Sequence, residues 1–385
     1  MKLITALLLF GSMYASAQSI QHVDYKIDND QVVVDYDLVD GGAQNISLQY
    51  SINNSLWKSV PLHACNGDLG VVETGKGKRI VWLPLTHLEN LSGQLKVRVY
   101  GTNLPQSINT SMLLVKGGLF PMGNLQGKED EKPIRYVKIN NFYISKFEVT
   151  VSDFRAFVNA TGYKTDAEKK GGSYIFNGER WETKKGINWR FDPSGSPRSD
   201  MEDNHPVVHV SWNDAQAYCN WLKNATGKTY RLPTEAEWEY VAGNADKHTK
   251  FSWGNYQPFN IRVSNLADEN TASVLKWTKS SDRIFWGYQD GFVFTAPVGS
   301  YTPNDLGVHD LTGNVAEWCS DWYSINYYNQ NQKDNPLGPS KGHSKIVRGG
   351  SWESSPKETL TSSRDYHTPD FRSCFIGFRI CYTEH

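Results

Sequence analysis

Tyr230-Arg231-Leu232-Pro233-Thr234-Glu235-Ala236-Glu237-Trp238-Glu239 marks the point where the fold of this chain is decided. Thr234 followed three residues later by Glu237 is a capping box, in which side chain and backbone satisfy each other's exposed groups at a helix start. A helix is therefore predicted to open at Thr234. Moving outward, Asn213 is placed to cap a helix carrying Ala217, Tyr218, Trp221 and Leu222, with Gly227 ending it. Thr150 is placed to cap another, carrying Phe154, Phe157 and Val158 and ending at Gly162. Hydroxyl and amide side chains serve helix N-termini and glycine serves C-termini. Around these three helices lie short strand signals and long irregular stretches, notably 163–205 and 244–290. Loops of that length need another organiser in a compact domain, and packed aromatics and bound metal are the two candidates.

Further toward the start, the pattern changes. Gln31–Leu38, Ile46–Ser51 and Leu95–Tyr100 alternate at or near period two, the signature of half-buried strands. Gly41-Gly42, Asn53-Asn54 and Gly75–Lys78 punctuate them. Residues 18–103 thus read as a small all-β sandwich of immunoglobulin or fibronectin type. Residues 104–111 read as a linker and 112–385 as the second domain. Residues 1–17 read as a signal peptide: Lys2, an apolar run from Leu3 to Met13, then Ala15-Ser16-Ala17. That run is too short to span a bilayer, and no Cys stands before Cys65 to carry a lipid. The expectation is an exported protein, periplasmic or secreted, that does not span a membrane.

The chain has 385 residues, and 40 Lys plus Arg nearly balance 41 Asp plus Glu. That balance lacks the basic excess a nucleic-acid binder uses to displace counterions. Thirteen Trp, twenty Tyr and sixteen Phe exclude a disordered chain. The five cysteines contain no CxxC pair, which leaves zinc-ribbon and thioredoxin-like readings without support. His205 and His209 lie in an extended run, where residues four apart are ~13 Å apart and cannot share one ion. There is no nucleophile elbow and no phosphate-cradling loop.

Seven motifs occur in order across the second domain: Gly117–Gly123, Phe147–Thr150, His205–Trp212, Tyr230–Glu239, Gly313–Trp318, Arg348–Trp352 and Ile376–Arg379. Over residues 112–382 the chain resembles the formylglycine-generating enzyme (sulfatase-modifying factor) family. The resemblance implies an α+β fold, a C-type-lectin-like variant with little regular secondary structure and structural calcium. Active relatives hold Cu(I) between two cysteines just after the Gly-Gly-Ser-aromatic motif and oxidise a client cysteine with molecular oxygen. Here the matching positions are Ser354 and Thr359. Cu(I) is soft and prefers thiolates, and a neutral hydroxyl is a hard, weak donor. Copper and formylglycine-generating activity are therefore not expected, and no catalytic residue is assigned. Ala316 also stands where the family motif carries tryptophan.

The resemblance further implies two calcium sites. One takes the side chains of Asn265 and Asp290 with the carbonyls of Leu266 and Phe292. The other takes the side chains of Asp310 and Glu317 with the carbonyls of Gly313 and Val315. Oxygen-only donors suit such a hard cation. Cys219 and Cys381 match a family disulfide, although Ile380 places Cys381 one residue late. A second family disulfide falls on Ala242 and Thr361. Ser351 and Arg364 match substrate-groove positions. With Trp352, Tyr366 and His367 they form an expected C-terminal groove for a protein, peptide or glycan partner. The expected function is a calcium-stabilised binding or scaffold protein. The competing readings are a copper oxidase with an unusual site and a lectin-fold variable ligand-binding protein.

Overall fold

The computed structural model describes residues 4–6, 20–39, 44–53, 55, 58–60, 64–86, 88, 91–103, 111–199, 202–258, 261–277, 282–330 and 332–384. The signal-peptide reading, apart from residues 4–6, and the linker reading, apart from residue 111, lie outside them. The chain divides into two compact units, residues 1–108, with which 224–227 are grouped, and the remainder of 109–385.

The first unit is built from two four-stranded sheets. One orders Ile20–Asp28, Gln31–Leu38, Gly75–Trp82 and Cys65–Gly67. The other sets Gln44–Ile52 between Leu95–Asn103 and Lys58–Ser59, with Gly70–Val72 also paired to it. Along Gln31–Leu38 the residues Val32, Val34, Tyr36 and Leu38 are buried at every second position, as the pleat dictates. They meet Ile46, Leu48, Val97 and Val99 of the other sheet in one core, where Tyr50 packs on Trp82.

In the second unit the three expected helices form. The first, α1 (Val151–Thr161), has a complete Thr150/Asp153 capping box and stops at Gly162 in the left-handed region, φ +66°. A five-residue turn of helix, α2 (Asp166–Lys170), follows with its own Thr165/Glu168 box. Next is α3 (Trp212–Thr226), whose start corrects the expectation of an Asn213 cap. Ser211 is the cap: its hydroxyl accepts from Asp214 N–H at 3.1 Å, and its own N–H donates to Asp214 Oδ2 at 2.8 Å. The helix starts one turn position earlier because the reciprocal Ser-x-x-Asp box satisfies two backbone donors and Asn213 would satisfy one. The Thr234/Glu237 box opens α4 (Glu235–Ala242), and α5 (Glu269–Val274) is capped by Asp268.

The long stretches are less bare than their sequence suggests. Residues 163–205 hold α2 and a hairpin pairing Gly172–Phe176 with Trp181–Lys185, and 244–290 hold α5. The aromatic content organises them. Phe154 and Phe157 of α1 interlock with Tyr218 and Trp221 of α3, and Phe378 closes the cluster. Among the described residues no helix is long and apolar enough to cross a membrane.

Every residue of α4 is buried, including three glutamates. Burial of carboxylates is costly unless each is paired. Each one is paired: Glu235 with Arg364 at 2.7 and 3.0 Å, Glu237 with Arg231 at 2.7 and 2.8 Å, and Glu239 with Arg348. The helix thereby ties together segments more than a hundred residues apart. A four-stranded sheet of Asp365–His367, Lys345–Arg348, Ala316–Trp322 and Ile376–Gly377 carries the motif residues of the C-terminal third.

Candidate functional site

The Gly349-Gly350 turn lets the Arg348–Trp352 motif reverse tightly, with φ of +94° and +67°. A Cβ on Gly350 would fall 2.8 Å from Thr359 Cγ2 and 3.1 Å from Ser354 Cβ. The side chains of Ser354 and Thr359 therefore converge on one spot, five residues apart in sequence. Both are buried. Ser354 Oγ accepts from Ser351 N–H at 3.0 Å, and Thr359 Oγ1 donates to the Pro356 carbonyl at 3.2 Å. What meets there is a pair of neutral hydroxyls already engaged with their own loop.

The five cysteines are all free thiols. Burial pushes Cys65 up to about 11 and Cys219 up to about 12, and raises the other three further. Cys374 packs against Trp352, whose indole N–H donates to the Cys374 carbonyl at 3.2 Å. Cys219 and Cys381, the pair matching a family disulfide, are both buried and near enough for Cys219 to act on Cys381. They stand unbridged: Arg231 Nη1 donates to Cys381 Sγ at 2.9 Å. Where the second family disulfide would fall, Thr361 Oγ1 donates to the Thr249 carbonyl at 2.6 Å instead.

The structure brings together the segments that carry the two expected oxygen clusters. Gly313, at φ +92°, lets the 310–315 turn press against 264–266, since a Cβ there would lie 2.1 Å from the Asn265 carbonyl oxygen. Asn265 donates its amide to the Phe294 carbonyl at 2.6 Å, while its Oδ1 is buried without a hydrogen-bond partner. Asp290 accepts from Leu266 N–H at 2.9 Å and Phe292 N–H at 2.8 Å. Burial, and then the nearby Asp268, push its carboxyl up to about 7.

In the second cluster Glu317 is buried between Arg379, at 2.7 Å to each oxygen, and the Trp238 indole N–H at 2.8 Å. Asp310 accepts from Gly299 N–H at 2.6 Å. Sequence reasoning missed a third carboxylate here, Glu148. Its Oε1 accepts from Asn314 at 2.9 Å. It is the one charged residue of the Phe147–Thr150 motif, and the sequence around it carries no other signal. Burial, reinforced by Asp310, raises Glu148 well above the carboxylate range, and burial pushes Asp310 up to about 6. Three carboxyl groups therefore face one guanidinium. Asp310 and the protonated Glu148 share a hydrogen bond, and the oxygen donors of this cluster are of the type a hard divalent cation takes. Among the described residues no group of three or more His, Cys, Asp or Glu could hold a metal ion; carbonyl and amide oxygens would have to complete either set.

The two histidines hold separate partners. His209 Nε2 donates to the Asp192 carbonyl at 3.0 Å and Nδ1 accepts from Ser173 at 2.9 Å; His205 bonds Thr295 at 3.1 Å. Burial lowers them to about 3 and about 4, so both are neutral packing groups at neutral pH.

The expected groove is largely filled. Ser351, Trp352 and Arg364 are buried, and Arg364 is spent on Glu235 and the Asp130 carbonyl, 2.6 Å away. Tyr366 is exposed but lies flat on Tyr323 with ring centres 3.7 Å apart, and His367 stacks on Phe371.

Residues 100–383 match the domain family described as sulfatase-modifying factor enzyme 1-like. The chain is 38% identical over 301 residues to the formylglycine-generating enzyme of Mus musculus, covering 72% of this chain and 76% of the relative. It is 34% identical over 302 residues to the inactive C-alpha-formylglycine-generating enzyme 2 of Bos taurus, covering 71% and 88%. Among solved structures, PvdO from Pseudomonas aeruginosa superposes with a TM-score of 0.56 at 29% identity, covering 71% of this chain and 94% of that one.

Proposed function

The chain belongs to the formylglycine-generating enzyme (sulfatase-modifying factor) family, and from that premise we propose that it is a non-catalytic member, a calcium-stabilised binding or scaffold protein. One observation carries this reading: the two side chains converging on Gly350 are Ser354 and Thr359. Relatives of this chain include both a formylglycine-generating enzyme and an inactive one, so family membership leaves activity open and the site must decide it. Hydroxyls give Cu(I) no thiolate to bind, and all five thiols are held protonated at neutral pH by burial.

Calcium is assigned to the two oxygen clusters, with Asn265 and Asp290 in one and Asp310 and Glu317 in the other, Glu148 beside them. Support comes from the buried Asn265 Oδ1 without a hydrogen-bond partner and from the negative excess around Arg379. Export follows from the reading of residues 1–17, and an immunoglobulin- or fibronectin-like docking module from the two-sheet first unit. The test is metal analysis of purified protein with and without chelator, together with a Cu(I) competition assay and a sulfatase-type cysteine peptide. Calcium retention, copper released to the chelator and an unmodified peptide are expected. Tight Cu(I) binding with conversion of the peptide would establish the oxidase reading instead.

A further inference from the structure

A cleft of about 970 Å³ lies beside the Ser354–Thr359 loop and is lined by three separate segments, 124–134, 248–257 and 356–362. It is distinct from the expected groove, since Ser351, Trp352, Arg364, Tyr366 and His367 do not line it. Its permanent charges are Lys250 and Lys357, with no Asp or Glu among the described lining residues; His248 beside them lies 3.7 Å from Glu239. Both lysines are exposed and form no ion pair among the described residues. Four amide side chains, Asn124, Gln126, Asn255 and Gln257, supply paired donors and acceptors. Leu125, Ile134 and Leu360 supply an aliphatic surface, Leu125 being 64% exposed. A smaller cavity of about 230 Å³ shares Gln257 and Pro356 with it and adds Trp286 and Ile284.

The walls are fixed before any ligand arrives. Arg348 donates to the carbonyls of Thr361, Ser362 and Ser363 at 2.8, 2.9 and 2.6 Å. Thr361 also donates across the cleft base, from its N–H to the Lys250 carbonyl at 2.9 Å and from its hydroxyl to the Thr249 carbonyl at 2.6 Å. On the opposite wall His248 sits at positive φ, 47°. Non-glycine residues rarely adopt that region, and such strain gathers at binding sites.

We propose that this cleft binds an extended acidic peptide segment in which carboxylates alternate with aliphatic side chains. The two lysines would meet the carboxylates, the amides the peptide backbone, and the aliphatic wall the apolar side chains. A neutral glycan would leave Lys250 and Lys357 without a counter-charge. This deepens the binding reading above by naming a partner class and a place.

The experiment uses the full chain and a fluorescein-labelled hexapeptide of alternating glutamate and leucine, with a lysine–leucine hexapeptide and a sulfated oligosaccharide as comparisons. Fluorescence polarisation should show saturable binding of the acidic peptide only. The exposed-site double variant Lys250→Glu/Lys357→Glu should weaken it at least tenfold while leaving the melting temperature in place, and Lys250→Ala/Lys357→Ala should weaken it less. Hydrogen exchange should slow in 248–257 and 356–362. Unchanged affinity in the double variants, protection elsewhere, or preference for the sulfated oligosaccharide would overturn the assignment. Such a failure with calcium retention intact would sink this site alone; conversion of a cysteine peptide would sink the non-catalytic reading alone.

Discussion

Ser354 and Thr359 share one small volume beside Gly350, so the pocket's shape and its chemistry can be separated by substitution. Ser354→Cys with Thr359→Cys restores two soft donors at converging positions. The double variant should retain Cu(I) against a competing chelator while the parent releases it; if both release it, the converging geometry is not that of a copper site. The Glu317–Arg379 pair makes the opposite point about a residue that cannot be spared. Both partners are buried, and neutralising Glu317 strips Arg379 of its bidentate charged partner. Glu317→Gln should destabilise the protein by about 3–5 kcal/mol, read as a lower denaturant midpoint. Glu148 shows why part of this site is not legible in the sequence. Its neighbours Asp310 and Asn314 lie more than 160 residues away, and nothing local marks a lone glutamate as one of three converging carboxylates.

The helices, by contrast, are legible because their signals are local. Thr150/Asp153 and Thr234/Glu237 act within one turn, and both boxes form. The Asn213 expectation misses by two residues because an amide followed by an apolar run looks like a start even when the reciprocal box begins at Ser211. Thr234→Ala should cost about 1 kcal/mol or somewhat more, since Glu237 is also held by Arg231. Equal stability of variant and parent in urea would show the cap to be idle. On the strand Ala316–Trp322, Asp321 accepts from Glu235 N–H at 2.9 Å, joining the sheet to the start of α4. Burial, then the Glu235 charge, push Asp321 up to about 7. The folded protein thus holds this proton more tightly than the unfolded chain, and stability is lost as pH rises from about 4 to 7. Asp321→Asn keeps the acceptor and removes the titration. The variant should gain on the parent across that window, by at most about 1.4 kcal/mol per pH unit, and run parallel above it.

Two units with separate cores predict two unfolding events in place of one. If calcium occupies the oxygen clusters, all of its effect falls on the 109–385 unit. A chelator should lower the melting transition of that unit and leave the other in place. Calcium at a hundred times its dissociation constant should restore about 2.7 kcal/mol. A single transition, or equal shifts in both, would contradict this. At this scale the sequence is legible in outline, since period-two strands give way to aromatic-rich loops near residue 104. The acidic-peptide cleft is not legible, because its lining is gathered from three distant segments whose lysines and amides look like ordinary solvated surface.

The strand Ile376–Gly377 joins Ala316–Glu317, Cys381–Tyr382 joins Tyr143–Ile144, and Arg379 fastens Glu317. The first and third reach back about sixty residues, and the second more than two hundred. On the ribosome, almost the whole second unit must emerge before its core can close, and until then aromatic surface waits uncovered. A nascent chain of this kind depends on holding factors during translation, and a tag fused close behind residue 382 would interfere with closure far more than one placed ahead of the first sheet.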